Sequence, residues 1–149
     1  MSAALRLARP EDLDRLMSLV AAFHAEAGIE QDPDQRRAAL APLLEGIPHG
    51  CVYLIGPARA PLGYVILTFG WSVEFGGMDG FVDEIYIRPA IRGRGIATEV
   101  LLALPKALAG AGLTALHLEV DRTNEAAHKL YLRTGFKPRD RYMLMSKTL

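Results

Sequence analysis

A single cysteine, Cys51, stands in the whole chain. That excludes an intramolecular disulfide and any cysteine-rich metal site, and it leaves Cys51 as a small apolar residue suited to a strand. The four histidines, His24, His49, His117 and His128, show no metal-ligand spacing, so no metal is expected and each reads as packing or surface. Apolar runs such as Tyr64–Phe69 and Val100–Leu104 fall far short of the roughly 18 residues of a membrane span. Net charge is zero, and there is no dense Lys/Arg run with interleaved aromatics. Nucleic acid is therefore not an expected partner. No internal repeat or low-complexity tract appears. Arg6, Arg9 and Glu11 stand too early for a signal peptide, which points to the cytoplasm.

What is present suits one folded domain spanning residues 1–149. Half of the residues are apolar and 23% are charged, and a chain of this size buries roughly 70% of its unfolded surface. Charge is distributed unevenly along it. Residues 1–91 carry 7 Arg and Lys against 12 Asp and Glu, net −5, whereas residues 92–149 carry 10 against 5, net +5.

Periodicity gives the element order. Ala4–Ala8 alternates as a short strand, and Leu13, Leu16, Met17, Val20 and Phe23 then follow helical spacing from Pro10 to Gly28. A second helix follows Asp32-Pro33, buries Leu40, Leu43 and Leu44, and stops at Gly46. "GCVYLIG" and "LGYVILTFG" read as two strands, followed by a polar loop over Trp71–Gly80 and a strand "GFVDEIYI". A third helix runs from about Gly95 to Leu108, with Pro105 as a kink or early end. "TALHLEV" reads as a buried strand. A helix from Asn124 to Gly135 follows, and Phe136–Pro138 and Tyr142–Lys147 are expected as a closing pair of strands. The order β-α-α-β-β-β-α-β-α-β-β implies an α/β (α+β) fold with a mixed sheet, helices on both faces and crossovers in the second half.

The junction "RPAIRGRGIATEV" leads a strand through two glycines into a helix. Such a junction presents unpaired backbone N–H groups and a positive helix end, which suits a phosphate or pyrophosphate. Gly93 and Gly95 admit a ligand without a Cβ, and Arg92 and Arg94 add charge. A nucleotide-hydrolysing loop would need Lys-Ser or Lys-Thr after the glycines, and neither is present. A dinucleotide fingerprint would need a third glycine where Thr98 stands.

Arg92-Gly93-Arg94-Gly95-Ile96-Ala97 resembles the coenzyme A loop of the GNAT superfamily of N-acetyltransferases, [QR]-x-x-G-x-[GA]. About 27 residues on, "NEAAHKLYLRTGF" resembles that family's second coenzyme segment through Asn124, Ala127, Leu130, Tyr131, Gly135 and Phe136. The element order is also the family's, so the resemblance covers nearly the whole chain. It implies a central, mostly antiparallel sheet splayed between the fourth and fifth strands, and acetyl-CoA as cosubstrate. Coenzyme contacts would come from the fourth-strand backbone at Ile85, Tyr86 and Ile87. Ile87 N–H would face the thioester oxygen, and the N–H groups of Arg92 through Ala97, with the Thr98 hydroxyl, would hold the pyrophosphate. Asn124 would contact the coenzyme arm. Tyr131 would be the general acid, and Asp83, then Glu84, would be the base. Strand alternation sends Asp83 and Glu84 to opposite faces unless a bulge re-aims one.

The family's acceptor site is variable. Here the segments that build it carry Glu26, Glu30, Asp32, Asp34, Glu74, Asp79, Asp83 and Glu84. An acidic mouth over a basic coenzyme floor points to a small cationic amine: a polyamine, an amino-sugar or a basic amino acid. Trp71 and Phe75 are candidates for the pocket wall. Two alternatives stand beside this reading: acetylation of a protein N-terminus or lysine, and a non-catalytic acyl-CoA-binding module. A homodimer through the last strands is an open option, and no membrane contact is implied.

Overall fold

The computed structural model describes residues 4–149. They form two compact units, divided between Glu119 and Val120. In the first, β1 (Leu5–Leu7) leads through a 3-10 turn at Pro10–Asp12 into α1 (Leu13–Ala27). Gly28 ends α1 in the left-handed region at φ 70°, a conformation that glycine adopts without steric cost. In α2 (Pro33–Leu44) the chain uses two start signals at once: Pro33 in the first turn and the Asp32 carboxylate accepting the Gln35 N–H at 3.0 Å. The strands β2 (Gly50–Ile55), β3 (Gly63–Ser72) and β4 (Gly77–Ile87) follow, then α3 (Ile96–Ala107) and β5 (Ala115–Leu118).

The sheet order is β1-β2-β3-β4-β5. The first three pairings are antiparallel and β4–β5 is parallel, as a crossover through α3 demands. Leu16 and Val20, one turn apart on α1, and Leu40 and Leu44, one turn apart on α2, pack with Val52, Leu54, Tyr64 and Ile66 from one sheet face. The alternate residues Ile55, Val65 and Leu67 are equally buried but lie outside that cluster, on the opposite face. The α3 crossover contributes its own buried stripe, Ile96, Val100, Leu101 and Leu104. Pro105 sits in the last turn of α3, where the missing N–H removes only one bond. No described helix is long and apolar enough to cross a membrane.

The second unit holds α4 (Glu125–Arg133), capped by the Asn124 side chain, which accepts the Ala127 N–H at 3.1 Å. Gly135 follows at φ 100°.

Three expectations are corrected. Trp71–Gly80 is not a loop: Trp71 pairs with Met78 and Ser72 with Gly77, so a tight turn at residues 73–76 closes a long hairpin. Its tip is solvated on both faces, which erased the apolar alternation by which strands are read. β5 is short and half-buried rather than buried, because it pairs with β4 alone. No strand forms over residues 136–149 among the described residues. Tyr142 N–H instead donates to Arg139 O at 3.0 Å, and the Arg139 and Arg141 guanidinium groups lie 4.9 and 5.6 Å from the Tyr142 ring centre. Alternating sequence makes a strand only where a ladder partner and a buried face exist. Here Met143, Leu144 and Met145 are all exposed.

Asp12, 4% exposed, anchors the β1–α1 corner. It accepts from both Arg6 Nη atoms at 3.0 and 3.2 Å and from Arg9 N–H at 2.8 Å. The Arg6 hydrogen bonds above all, then the Arg9 N–H, hold its carboxyl below the ordinary carboxylate value against the opposing effect of burial. A carboxyl so depressed contributes stability fully above the unfolded pKa of about 3.9, and the contribution is lost as pH falls through the lower folded value. Asp12→Ala is expected to cost about 2 kcal/mol in urea unfolding at pH 7. The difference from the parent should shrink below pH 4.

Candidate active site

Between β4 and α3 the chain turns at Pro89–Ile91 and enters α3 over Gly95. Gly93 and Gly95 both have φ 79°, and a Cβ on either would meet nothing within 4 Å. The glycines are thus required by backbone conformation, and the surface above them is open. The first intrahelical bond of α3 is Glu99 N–H to Gly95 O at 3.0 Å, so the N–H groups of Ile96, Ala97 and Thr98 precede the helical ladder. Arg92 is tied elsewhere. Its N–H donates to Pro89 O, its Nε to Ile87 O at 2.8 Å and its Nη2 to Glu26 at 2.8 Å, while the guanidinium lies over the Tyr86 ring. It straps the loop to α1 and β4. The expected cradle therefore loses the Arg92 N–H and begins at Gly93. Glu26, expected at the acceptor mouth, is the other end of that strap.

β4 outlasts its neighbour. Its pairing with β5 covers only Asp79–Val82, whereas β3 accompanies it to Ile87. Arg88 N–H donates to Leu62 O on the β3 side at 2.9 Å. Because N–H directions alternate along a strand, Ile87 and Ile85 point theirs to the side that β5 has left. Tyr86 points its ring into the core against Phe23 and Tyr64, with centroids 5.9 Å away in each case, so only its backbone can face a ligand.

A cavity of about 660 Å³ opens beside β4, walled by α1, the loop to α2, α2 itself and β3. Both Asp83 and Glu84 line it. The cause is a bulge: Glu84 opposes Ile66 and Val82 opposes Leu67, leaving Asp83 as the extra residue. Glu84 is fixed by the Tyr64 hydroxyl, which donates to Oε1 at 2.7 Å, and by His24 Nε2, 2.8 Å from Oε2. Burial first, and the Glu84 charge second, push the Tyr64 phenol far above its usual value. It stays a donor. Asp83 takes no side-chain hydrogen bond among the described residues. Although Asp83 is exposed at its edge, desolvation of the carboxyl chiefly, then Glu84 and Glu119, raises its pKa against the opposing pull of His24.

The acetyltransferase (GNAT) family model matches residues 13–136. The chain belongs to this family. An uncharacterized N-acetyltransferase YycN of Bacillus subtilis is 37% identical over 71 residues, 48% of this chain and 44% of that protein. The matched part spans about half or less of the curated relatives' length. Among solved structures, the integron cassette protein HFX_CASS3 from the mobile metagenome of Cole Harbour Salt Marsh is 32% identical, with a TM-score of 0.84 over 97% of this chain and 90% of that one. A predicted acetyltransferase of Clostridium acetobutylicum, solved with acetyl-CoA, shares the fold at 18% identity, with a TM-score of 0.78 over 96% and 95% of the two chains.

Two further expected site residues belong to the second motif: Asn124 caps α4 and Tyr131 lies within it. Asn124 spends its amide oxygen on the helix cap. Tyr131 is half-buried, edge-on to Phe136 at 6.0 Å, and burial raises its phenol pKa. Trp71 and Phe75 do not line the cavity: Trp71 is exposed at the hairpin tip, and Phe75 packs on His117. Asp79 is likewise held by His117 at 3.1 Å, and Asp32 by its cap. Of the expected acidic mouth, Glu30, Asp83 and Glu84 line the cavity. Sequence reasoning read His24 as packing or surface and did not single out Arg36, and both line the cavity. Each interrupts an apolar stripe, His24 after Leu16 and Val20 and Arg36 before Leu40 and Leu44, and that interruption was a readable signal.

Gly95→Ala is expected to destabilise the protein by about 1 kcal/mol, the cost of a left-handed non-glycine residue. Gly110→Ala, also in open space but without a positive φ, should cost less in the same denaturation experiment.

Proposed function

We propose that the chain transfers an acetyl group from acetyl-CoA to the primary amine of a small cationic molecule, the polyamine, amino-sugar and basic amino acid classes being the first to test. The observation that carries this reading is the end of β4. There the amides of Ile85 and Ile87, the open start of α3 and the carboxylates turned by the bulge belong to one short stretch of chain.

The chain's groups fit this cosubstrate. The N–H groups of Gly93 through Ala97, which precede the α3 ladder, suit a pyrophosphate. When bound, acetyl-CoA supplies an activated acyl carbon; the amine forms the N–C bond as the C–S bond breaks. Ile87 N–H donates to the carbonyl oxygen, where charge builds up, a contact typically worth about 3 kcal/mol of barrier. Asp83 receives the proton that the amine gives up. At about 3.3 Å per residue, four residues of strand place Asp83 up to about 13 Å from Ile87, so the proton travels through water. Tyr131, at the family's acid position, returns a proton to the leaving sulfur; its raised pKa keeps it protonated at neutral pH. Glu84, with both oxygens engaged, holds the bulge and lends its charge to Asp83.

A screen of amines with acetyl-CoA, read by free thiol, tests the reading; no thiol release with any amine would remove it. Tyr131→Phe should lower kcat at least 100-fold with little change in acetyl-CoA affinity. Asp83 is active when deprotonated and its pKa is raised, so kcat/KM should fall as pH drops through a value above the ordinary carboxylate range. Asp83→Asn should lower kcat/KM by about 100-fold and abolish that acid limb.

A further inference from the structure

Among the described residues of the first unit, the buried polar and charged ones are Asp12, His24 and Arg36. Asp12 has Arg6, and His24 has Glu84. Arg36 has no anion: it is 8% exposed and its Nη2 donates to Gln31 O at 3.0 Å. Its Nε is hidden and takes no partner among the described residues, as is true of Arg6 Nε and His24 Nδ1, but Arg36 differs from both in that no carboxylate there approaches it within ion-pair distance. A guanidinium cannot shed its proton to escape burial, so an unpaired one is costly unless an anion completes it. Its position in the first turns of α2 adds to the demand, since a helix N-terminus is already positive.

Arg36 lines the same cavity as Asp83. We propose that Arg36 receives the carboxylate of the acceptor, so that the acceptor is a free amino acid, its amine directed to Asp83 and its carboxylate to the Arg36 guanidinium. This rests on the acetyl-transfer reading and exchanges its net-cationic acceptor for a zwitterion. A zwitterion answers both needs of the cavity at once: an anion for the buried cation, and a cation for Glu30 and Asp83. A polyamine answers only the second. A planar fork of N–H donors matches a carboxylate in two parallel bonds, and Val20, Ile29, Leu40 and Ile66 leave an apolar wall for an aliphatic or aromatic side chain. The cavity volume is that of a small-molecule site.

The test uses matched probes with acetyl-CoA and free-thiol readout: leucine, phenylalanine and lysine, each beside its α-carboxamide and its decarboxylated amine. The parent protein should favour at least one amino acid over its carboxamide by tenfold or more in kcat/KM. Arg36→Met should bring that ratio close to one through a rise in KM, while its melting temperature stays level or rises because an unpaired buried charge is gone. Arg36→Lys, which keeps the charge without the fork, should give an intermediate ratio. A lower melting temperature in Arg36→Met with an unchanged ratio would make Arg36 structural and overturn the assignment. Preferred turnover of carboxylate-free amines, or of phosphoethanolamine over every amino acid, would overturn it and leave acetyl transfer standing. No acetyl-CoA binding and no thiol release with any probe would overturn both.

Discussion

One extra residue in β4 organises the site. A regular β3–β4 ladder would turn Asp83 and Glu84 to opposite faces, one into the α1–α2 side and the other toward α3. The bulge opposite Ile66 and Leu67 gives both to the same cavity. It also separates two regimes of the strand. Before it, β4 is flanked by β3 and β5; after it, β4 has β3 alone and its outward amides are released. The bulge thus turns the acidic groups of the proposed chemistry, and the donor groups follow it on the same strand, where pairing with β5 has ended.

The charged groups around this strand fall into two kinds. Some are closed off among themselves: Arg6 with Asp12, Arg92 with Glu26, and Glu84 with Tyr64 and His24. These paired groups hold α1 against the sheet, and the Arg92 strap ties the glycine-rich loop to them. Others are left with unmet needs. Asp83 has a raised pKa and, among the described residues, no donor, and Arg36 is buried with no anion among them. Unmet electrostatic demand in the wall of a cavity is where a ligand contributes what the protein does not.

Much of this was legible beforehand. Asp32-Pro33 and Asn124 announced helix starts because capping is local chemistry, and Gly28 and Gly135 announced ends for the same reason. The "RGRG" junction was readable because a left-handed backbone needs glycine wherever it occurs. The hairpin tip at Trp71–Ser72 was not, since strands without a buried face lose their periodicity. The tail beyond Phe136 misled in the other direction: it has the period of a strand but no ladder. His24 and Arg36 were visible as interruptions of apolar stripes, yet the partner of His24 lies 60 residues away, and Arg36 meets a backbone carbonyl but no anion among the described residues.

By itself the sequence determined the element order as far as α4, the helix caps, the glycine turn before α3 and the two motifs that resemble the family's coenzyme segments, because each depends on interactions within a few neighbouring residues. Only the tertiary structure decided that Asp83 and Glu84 share a cavity, that Arg92 is a strap, that the acidic mouth shrinks to three residues and that Arg36 stands buried without an anion. Those outcomes depend on register and on burial, and both are set by contacts between segments that the local sequence does not encode.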